Sequence, residues 1–484
     1  MAENKRMSMG MNAIYKMILN VFNLLVPLLV GPYIAGLLDE ELYGVYNRVL
    51  AEFNIFFVLG AFGIYNYGVR EISKVRENKK KREEVFSSLF VIGLISNIIV
   101  TLFYIIYFNI RGNGLDKYVY AVMMIQMMSN VFYIEFMNEA AENYAFITKK
   151  TILVRLLYFV AIFAFVKKPT DIVIYSIVVS MTVLLNNFIS FVYLKRQYRF
   201  TTENLEIKKH MAPLVVSLLL ANVELLYSQL DKIMLSPFVN DIAVTEYTLP
   251  TTLVGMVCTI PLALISVAIP RLASYIGEGN LDTYKKTLTD TIRTYMSILI
   301  PMIFGIFVLA QEIMWLYTKD VYTYVYPVLA LAAVSRIVHG YESIVTNLMM
   351  YVCGFEKKLT MYLLYGGVIN VFFNIGLVAC GKFNAFNAFL TTTLAYLLVT
   401  ILCKRHFEKK MGMKVQFLDK KIWQYIGVSA LFIPVTIVVK LLGLGYWFNI
   451  IAIIIVCVAI YGVFLLVTKD PLVDVVFNIL RRKK

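Results

Sequence analysis

The residues able to do chemistry in this sequence are polar side chains set inside long apolar runs, and their spacing is helical. Asn12, Lys16, Asn20 and Asn23 are followed by Pro27 at steps of four, four, three and four, which keeps them on one helix face. A second row, Glu224, Ser228 and Asp231, has Gln229 and Lys232 beside it, and a third holds Ser335, His339, Glu342 and Thr346 with Arg336 adjacent. Shorter rows are Asn97, Thr101 and Tyr104, and Gln126, Asn130 and Tyr133. A charged side chain at mid-bilayer costs about 2.5–3.5 kcal/mol on insertion scales, so it faces a cavity or an opposite charge. These rows therefore predict wet helix faces lining one shared cavity. Arg336 lies about 12 residues into its run, near mid-bilayer at roughly 1.5 Å per residue, and is expected to face that cavity.

Other placements of the same residue types are structural. Arg48 and Glu52 are one helical turn apart, so an intrahelical ion pair and a cavity role both stay open. Lys16, Arg293 and Lys440 lie near the ends of their runs, where a long side chain reaches the headgroups; for Arg293 and Lys440 that is the expectation. Isolated Asn and Thr residues hold helices together more often than they bind a ligand.

The elements that must position these side chains are membrane-spanning helices. Of 484 residues 60% are hydrophobic and 16% charged, well below the roughly 25% charged of ordinary soluble chains. Runs long enough to cross a hydrocarbon layer, about 20 residues each, cover 12–37, 43–67, 85–108, 118–136, 151–166 and 171–194. They continue over 211–239, 247–270, 291–317, 324–352, 359–380 and 385–403, and end with 422–442 and 447–468. The fold class is all-α integral membrane protein with about 14 spans. It divides into an N-lobe over 12–194, a basic linker over 195–210, a C-lobe over 211–403, a basic loop over 404–421, a helix pair over 422–468 and a basic tail over 469–484.

The formal charge of +15 does not indicate nucleic acid, because it alternates with the spans. With the N-terminus placed inside, 33 of the 46 Lys and Arg fall in inner segments, six in outer turns and seven within spans, the asymmetry of the positive-inside rule. Both termini are therefore expected in the cytoplasm. The two six-span groups also echo one another: Tyr46 to Arg70 and Tyr247 to Arg271 span equal lengths, and Pro32 and Pro237 precede the outer turns. Repeated halves with a site between them are a common transporter plan, and prolines inside spans permit the bends that alternating access uses.

Catalytic motifs do not appear in the sequence. It has no Gly-rich phosphate loop and no HExxH, only three histidines, and five cysteines without metal-ligand spacing. The longest loops are too short for an active site or an ATPase domain. The expectation is a transporter and not an enzyme, with no metal site and no resident cofactor, driven by a gradient of Na+ or H+.

The run Pro32-Tyr33-Ile34-Ala35 through Tyr43-Gly44-Val45-Tyr46, followed by Tyr67-Gly68-Val69-Arg70-Glu71-Ile72, resembles the start of polysaccharide repeat-unit flippases of the Wzx type. Leu230-Asp231-Lys232-Ile233-Met234-Leu235 and Ile269-Pro270-Arg271-Leu272 resemble the same family, within the multidrug/oligosaccharidyl-lipid/polysaccharide exporter superfamily. Thr245-Glu246 departs from it, standing where the family carries a glycine before the tyrosine. The resemblance implies two pseudo-symmetric six-helix lobes plus a C-terminal pair, in the bacterial cytoplasmic membrane. It implies translocation of undecaprenyl-diphosphate-linked oligosaccharide from the inner to the outer leaflet, alongside polysaccharide polymerase and chain-length machinery. A diphosphate leaving water needs Lys and Arg, so Lys16, Arg48, Lys232 and Arg336, with Asn20 and Asn23, form the candidate substrate-binding set. Lipid II flippases place an ion site on spans 7, 11 and 12. Here Asp231, Asn370, Asn374 and Thr391–Thr393 match those spans, without an acid in span 11; Glu52, Glu224, Glu342 and His339 are the further coupling candidates. The alternatives are an ion-coupled drug exporter of the same fold and a membrane polymerase or glycosyltransferase using the same lipid-linked substrate. Buried cations count against the first, and short outer loops against the second.

Overall fold

The computed structural model describes residues 9–443, 445–470, 472 and 473, with the side chains of residues 9, 10, 12–14 and 220–226 outside the description. Among the described residues it is helical with no strand. The chain divides into two compact units, one ending at Thr245 and one beginning at Glu246.

The first unit contains α1 (Met9–Ala35), α2 (Glu40–Ala61), α3 (Ile64–Lys74), α4 (Lys79–Arg111), α5 (Leu115–Ser129), α6 (Glu135–Ala140), α7 (Tyr144–Phe165), α8 (Ile172–Lys195) and α9 (Ile207–Phe238), and the first turn of α10 (Asp241–Gly277). The second holds the rest of α10 with α11 (Leu281–Val308), α12 (Ala310–Thr318), α13 (Tyr326–Ile344), α14 (Glu356–Ala379), α15 (Ala385–Met411), α16 (Lys420–Ala430), α17 (Phe432–Leu441) and α18 (Tyr446–Val467). Among the described residues, twelve segments are long and apolar enough to cross a membrane. Helices α7, of 22 residues, and α9, of 32, also exceed the 30 Å or so of a hydrocarbon core at about 1.5 Å per residue. The protein is thus an all-helical, multi-pass membrane protein whose spans match the apolar runs of the sequence.

Helix starts follow from short side chains that take orphan backbone donors. Asp39 accepts from Glu41 N and Leu42 N at 3.0 and 3.1 Å, Asn78 from Lys81 N at 3.1 Å, and Asp419 from Ile422 N at 3.0 Å, each an N-cap. Several spans are interrupted inside. Helices α2 and α3 meet at Phe62 and Gly63, both left-handed at φ 50° and 67°. A Cβ on Gly63 would lie 2.5 Å from Leu218 N and 2.9 Å from Leu214 O, so a glycine is what lets α9 lie against this break. The span α5–α6 is broken by a 3-10 turn over Asn130–Phe132, and α13 continues as a π-helix over Val345–Tyr351.

In the first unit α2 packs against α4, α5 and α9, α5 against α8, and α7 between α1 and α8. In the second, α13 packs against α11 and α15, α14 against α15, and α17 against α18. The equivalent positions in the two halves have similar surroundings: Tyr46 and Tyr247 are buried, while Arg70 and Arg271 are exposed.

Two basic side chains expected to reach headgroups do not stand alone. Arg293 Nε lies 2.5 Å from Asp419 Oδ2, and Lys440 Nζ lies 2.6 Å from Glu312 Oε1. Glu312 is only 3% exposed, so its charge needs a counterion within the helix pair, and Lys440 supplies it.

Candidate functional site

The two units carry different arrangements of the polar residues singled out by spacing. In the first unit, α1 presents Lys16, Asn20 and Asn23 as exposed side chains, and Lys16 Nζ lies 5.2 Å from the Tyr144 ring centroid. Arg48 behaves otherwise. It is 4% exposed; its Nε donates to Asp241 Oδ1 at 2.8 Å and its Nη2 pairs with Asp116. The intrahelical pair with Glu52 does not form, because Glu52 instead accepts from the Tyr120 hydroxyl. A guanidinium held by two carboxylates is neutralised, and here it ties α2 to α5 and to the first turn of α10. Asn47 Nδ2 to Thr245 Oγ1 at 2.9 Å strengthens the same tie. Gly44 allows it: a Cβ there would sit 2.4 Å from the Asp241 carbonyl.

On α9, Asp231 is fully buried and Lys232 half-buried beside it. The Glu224 side chain lies outside the described residues. At the start of α9, before the apolar run, His210 is 2% exposed with Nδ1 2.8 Å from the Tyr67 hydroxyl; burial, with Lys209 next to it, pushes its pKa below the ordinary histidine value. In the turn before α8, Asp171 accepts from Lys167 N and Lys168 N at 2.9 and 2.8 Å, which holds its carboxyl below the usual range.

In the second unit the candidate cation keeps its charge available. Arg336, half-buried on α13, reaches only the Thr251 carbonyl, with Nη2 at 3.5 Å, and its Nε is buried without a hydrogen-bond partner. No carboxylate pairs with it among the described residues. Gly255 on α10 lies beside it: a Cβ there would be 3.6 Å from Nη2, an ordinary van der Waals contact. One turn along α13, the His339 ring packs on Tyr396 at 3.8 Å between centroids, and Glu342 is 4% exposed. Asn370 donates to Thr392 Oγ1 at 2.8 Å, and Thr391 donates to Asn374 Oδ1 at 2.6 Å. All four are buried, forming a polar ladder between α14 and α15 of the kind that joins helices in lipid.

The same unit contains an apolar groove of about 690 Å³ between α11 and the pair α17–α18, lined by residues such as Pro301, Met302, Ile306, Phe432, Ile453 and Cys457. Its one tyrosine, Tyr461, donates to the Ser297 carbonyl at 2.7 Å, so the lining offers a ligand hydrocarbon contacts and almost no hydrogen bonds.

Spacing did not reveal the carboxylate partners of Arg48, nor the buried set Glu135, Lys150 and Ser190. Glu135 is the last residue but one of the run 118–136, and Lys150 stands just before the run 151–166, so neither belongs to a helical row of polar residues. The available signal is an acid on an otherwise apolar run end, repeated four residues on as Glu139.

The chain matches the family model "Polysaccharide biosynthesis protein" over residues 9–276, more than half its length. It is 23% identical over 187 residues to the "Putative O-antigen transporter" of Escherichia coli (strain K12), a match covering 38% of this chain and 45% of that protein's length. Among solved structures it is similar to the lipid II flippase MurJ in an inward closed conformation, with TM-score 0.72 and 13% identity over 96% of this chain and 99% of that one. It is also similar to an inward-facing multidrug resistance transporter of the MATE family, with TM-score 0.59 and 14% identity over 80% and 98%. The fold is that shared by these solved structures, and the chain belongs to the polysaccharide biosynthesis protein family.

Proposed function

We propose that this protein is a flippase that carries undecaprenyl-diphosphate-linked oligosaccharide repeat units from the inner to the outer leaflet of the bacterial cytoplasmic membrane. The two lobes alternate in opening to the two sides, and both termini lie in the cytoplasm. The observation that carries this reading is the absence of a carboxylate partner for Arg336 among the described residues. Arg48, Arg293 and Lys440 each face a carboxylate, as a structural cation in a span must. Arg336 faces none among the described residues, and its Nε is buried without a hydrogen-bond partner. A guanidinium is the side chain best matched to a phosphate, through two parallel N–H donors. An anionic head group completes the site; a cationic drug would meet repulsion there.

The groove beside α17 and α18 supports the reading from the lipid side. A polyprenyl chain is hydrocarbon throughout, and a groove with few hydrogen-bonding groups accepts it without leaving polar atoms unpaired. The head group then crosses through the protein while the tail stays in apolar surroundings.

Reconstitution tests this directly. The purified protein in liposomes, supplied with a fluorescent undecaprenyl-diphosphate glycan in one leaflet, is expected to make the glycan accessible to an impermeant glycosidase on the other side within minutes. Accessibility no faster than in protein-free liposomes, together with uptake of a cationic dye, would replace the flippase reading with a drug exporter.

A further inference from the structure

In the second unit, the start of α14 and the end of α15 carry basic side chains that no carboxylate answers. Lys357 and Lys358 in the first turn of α14, and Arg405, Lys409 and Lys410 in the last two turns of α15, are all exposed. None of the five forms an ion pair among the described residues. Glu408, the acid between them on α15, lies 3.8 Å from Lys404 Nζ and accepts from Val415 N at 3.0 Å. Glu356, half-buried at the start of α14, is the remaining acid of these two helix ends. In the first unit, by contrast, Lys74, Arg76, Lys80 and Lys209 each pair with a carboxylate. A base that is already paired offers an anion little; these five keep their charge available.

Contacts between the helices make the five one patch. His406 on α15 places Nδ1 3.3 Å from the Tyr362 hydroxyl of α14, and its ring meets that of Phe355 at 5.3 Å. Lys358, Lys409 and Lys410 are the charged side chains near enough to act on that ring.

The same helix faces continue into the bilayer as uncovered apolar surface. Residues seven apart share a helix face. Lys358, Tyr365 and Phe372 form such a stripe on α14, with Tyr365 48% and Phe372 72% exposed. On α15, Arg405 ends a row of Leu394, Leu397 and Ile401, spaced three and four apart and all exposed. At roughly 1.5 Å per residue, Tyr365 lies about 10 Å and Phe372 about 21 Å along the helix from Lys358. Half a hydrocarbon core is about 15 Å thick, so the stripe is as deep as one leaflet. A cationic end above an apolar face of that depth complements a molecule with an anionic head and hydrocarbon tails.

We propose that this face of α14 and α15 holds an anionic phospholipid of the inner leaflet. Its phosphodiester lies among Lys358, Arg405 and Lys409, and its acyl chains run along Tyr365, Phe372, Leu397 and Ile401. The guanidinium supplies paired donors and the two ammonium groups supply point charges. The site goes beyond the flippase reading and uses from it only the cytoplasmic placement of the termini, which puts the start of α14 on the inner side.

Native mass spectrometry on the full-length protein, released from vesicles of phosphatidylcholine and phosphatidylglycerol in equal parts, tests this without cargo. Retained phosphatidylglycerol is expected to exceed retained phosphatidylcholine about tenfold. Lys358→Gln with Arg405→Gln and Lys409→Gln is expected to bring that ratio near one. Lys74→Gln with Lys80→Gln and Lys209→Gln removes as much charge from the first unit and is expected to leave the ratio unchanged. A ratio unaltered by the first set, or lowered equally by the second, overturns the proposal. If the first set does not accumulate, Lys358→Glu alone is expected to lower the ratio several-fold, and an unchanged ratio there overturns the proposal as well. Glycerophosphoglycerol, the head group without chains, is expected not to displace the bound lipid; displacement at equal concentration would make this a site for soluble phosphate esters and overturn the lipid assignment. A ratio lost in the first set alongside failed glycan transport by the unaltered protein would leave the lipid site standing and remove only the flippase reading.

Discussion

Arg336→Met is expected to leave the thermal stability of the purified protein unchanged or raised, while surface polysaccharide in cells that depend on it falls about tenfold or more. The two effects have one cause. An unpaired guanidinium with a buried, unsatisfied Nε costs folding free energy, so a flexible apolar side chain of similar length relieves that cost. A charge-assisted hydrogen bond contributes about 1.5–3 kcal/mol, a factor of ten to a hundred in the binding of an anionic head group. Arg336→Lys keeps the charge and loses the paired donors, and is expected to fall between the two. The checks are a melting curve on purified protein and quantitation of surface glycan at matched protein levels. A lowered melting temperature with export intact would make Arg336 a structural residue and remove the observation on which the function rests.

Arg48→Met is expected to show the reverse pattern, with stability lost first. Asp116 and Asp241 would be left facing one another without their shared cation. Removing one partner of a buried ionic group costs about 3–5 kcal/mol. The lower end applies because each carboxylate side chain is about one-fifth exposed, at 22% and 21%. A fall of several degrees in melting temperature and poor accumulation in the membrane are expected. Adding Asp116→Asn to Arg48→Met should recover part of the loss, since it removes one of the two stranded charges. If Arg48→Met is as stable as the unaltered protein and the second substitution changes nothing, the doubly paired arrangement is not what holds α2 to α5 and α10.

The contrast between these two arginines shows what could be read from the sequence. Both lie inside apolar runs; local spacing left Arg48 open between an ion pair with Glu52 and a cavity role, and pointed Arg336 to the cavity. Arg48 is separated from Asp116 by 68 residues and from Asp241 by 193, and no periodicity reports a partner at that distance. The neighbour that spacing did offer, Glu52, is taken by Tyr120 from another helix. The spans themselves were legible because the bilayer imposes a length and an apolar composition on each one separately. Their interruptions were not. Phe62 and Gly63 break a span because α9 lies against them, and the turn at Asn130–Phe132 breaks another within an unbroken apolar pattern. Glu135 and Lys150 went unnoticed for a related reason: one ends an apolar run and the other stands just before the next, and only the fold brings them together at 2.8 Å. The row of Lys16, Asn20 and Asn23 was visible because one helix face is a local property, and the structure leaves those side chains exposed.

The decisive measurement is the amount and sidedness of undecaprenyl-diphosphate-linked glycan in cells depleted of this protein. The flippase reading predicts that complete repeat units accumulate on the cytoplasmic face, where an impermeant glycosidase reaches them only in inside-out vesicles and mass spectrometry identifies their sugars. Accumulation on the outer face would contradict it and point to a step after translocation, such as polymerisation. Unchanged glycan lipid with greater sensitivity to cationic dyes would contradict it in favour of drug export.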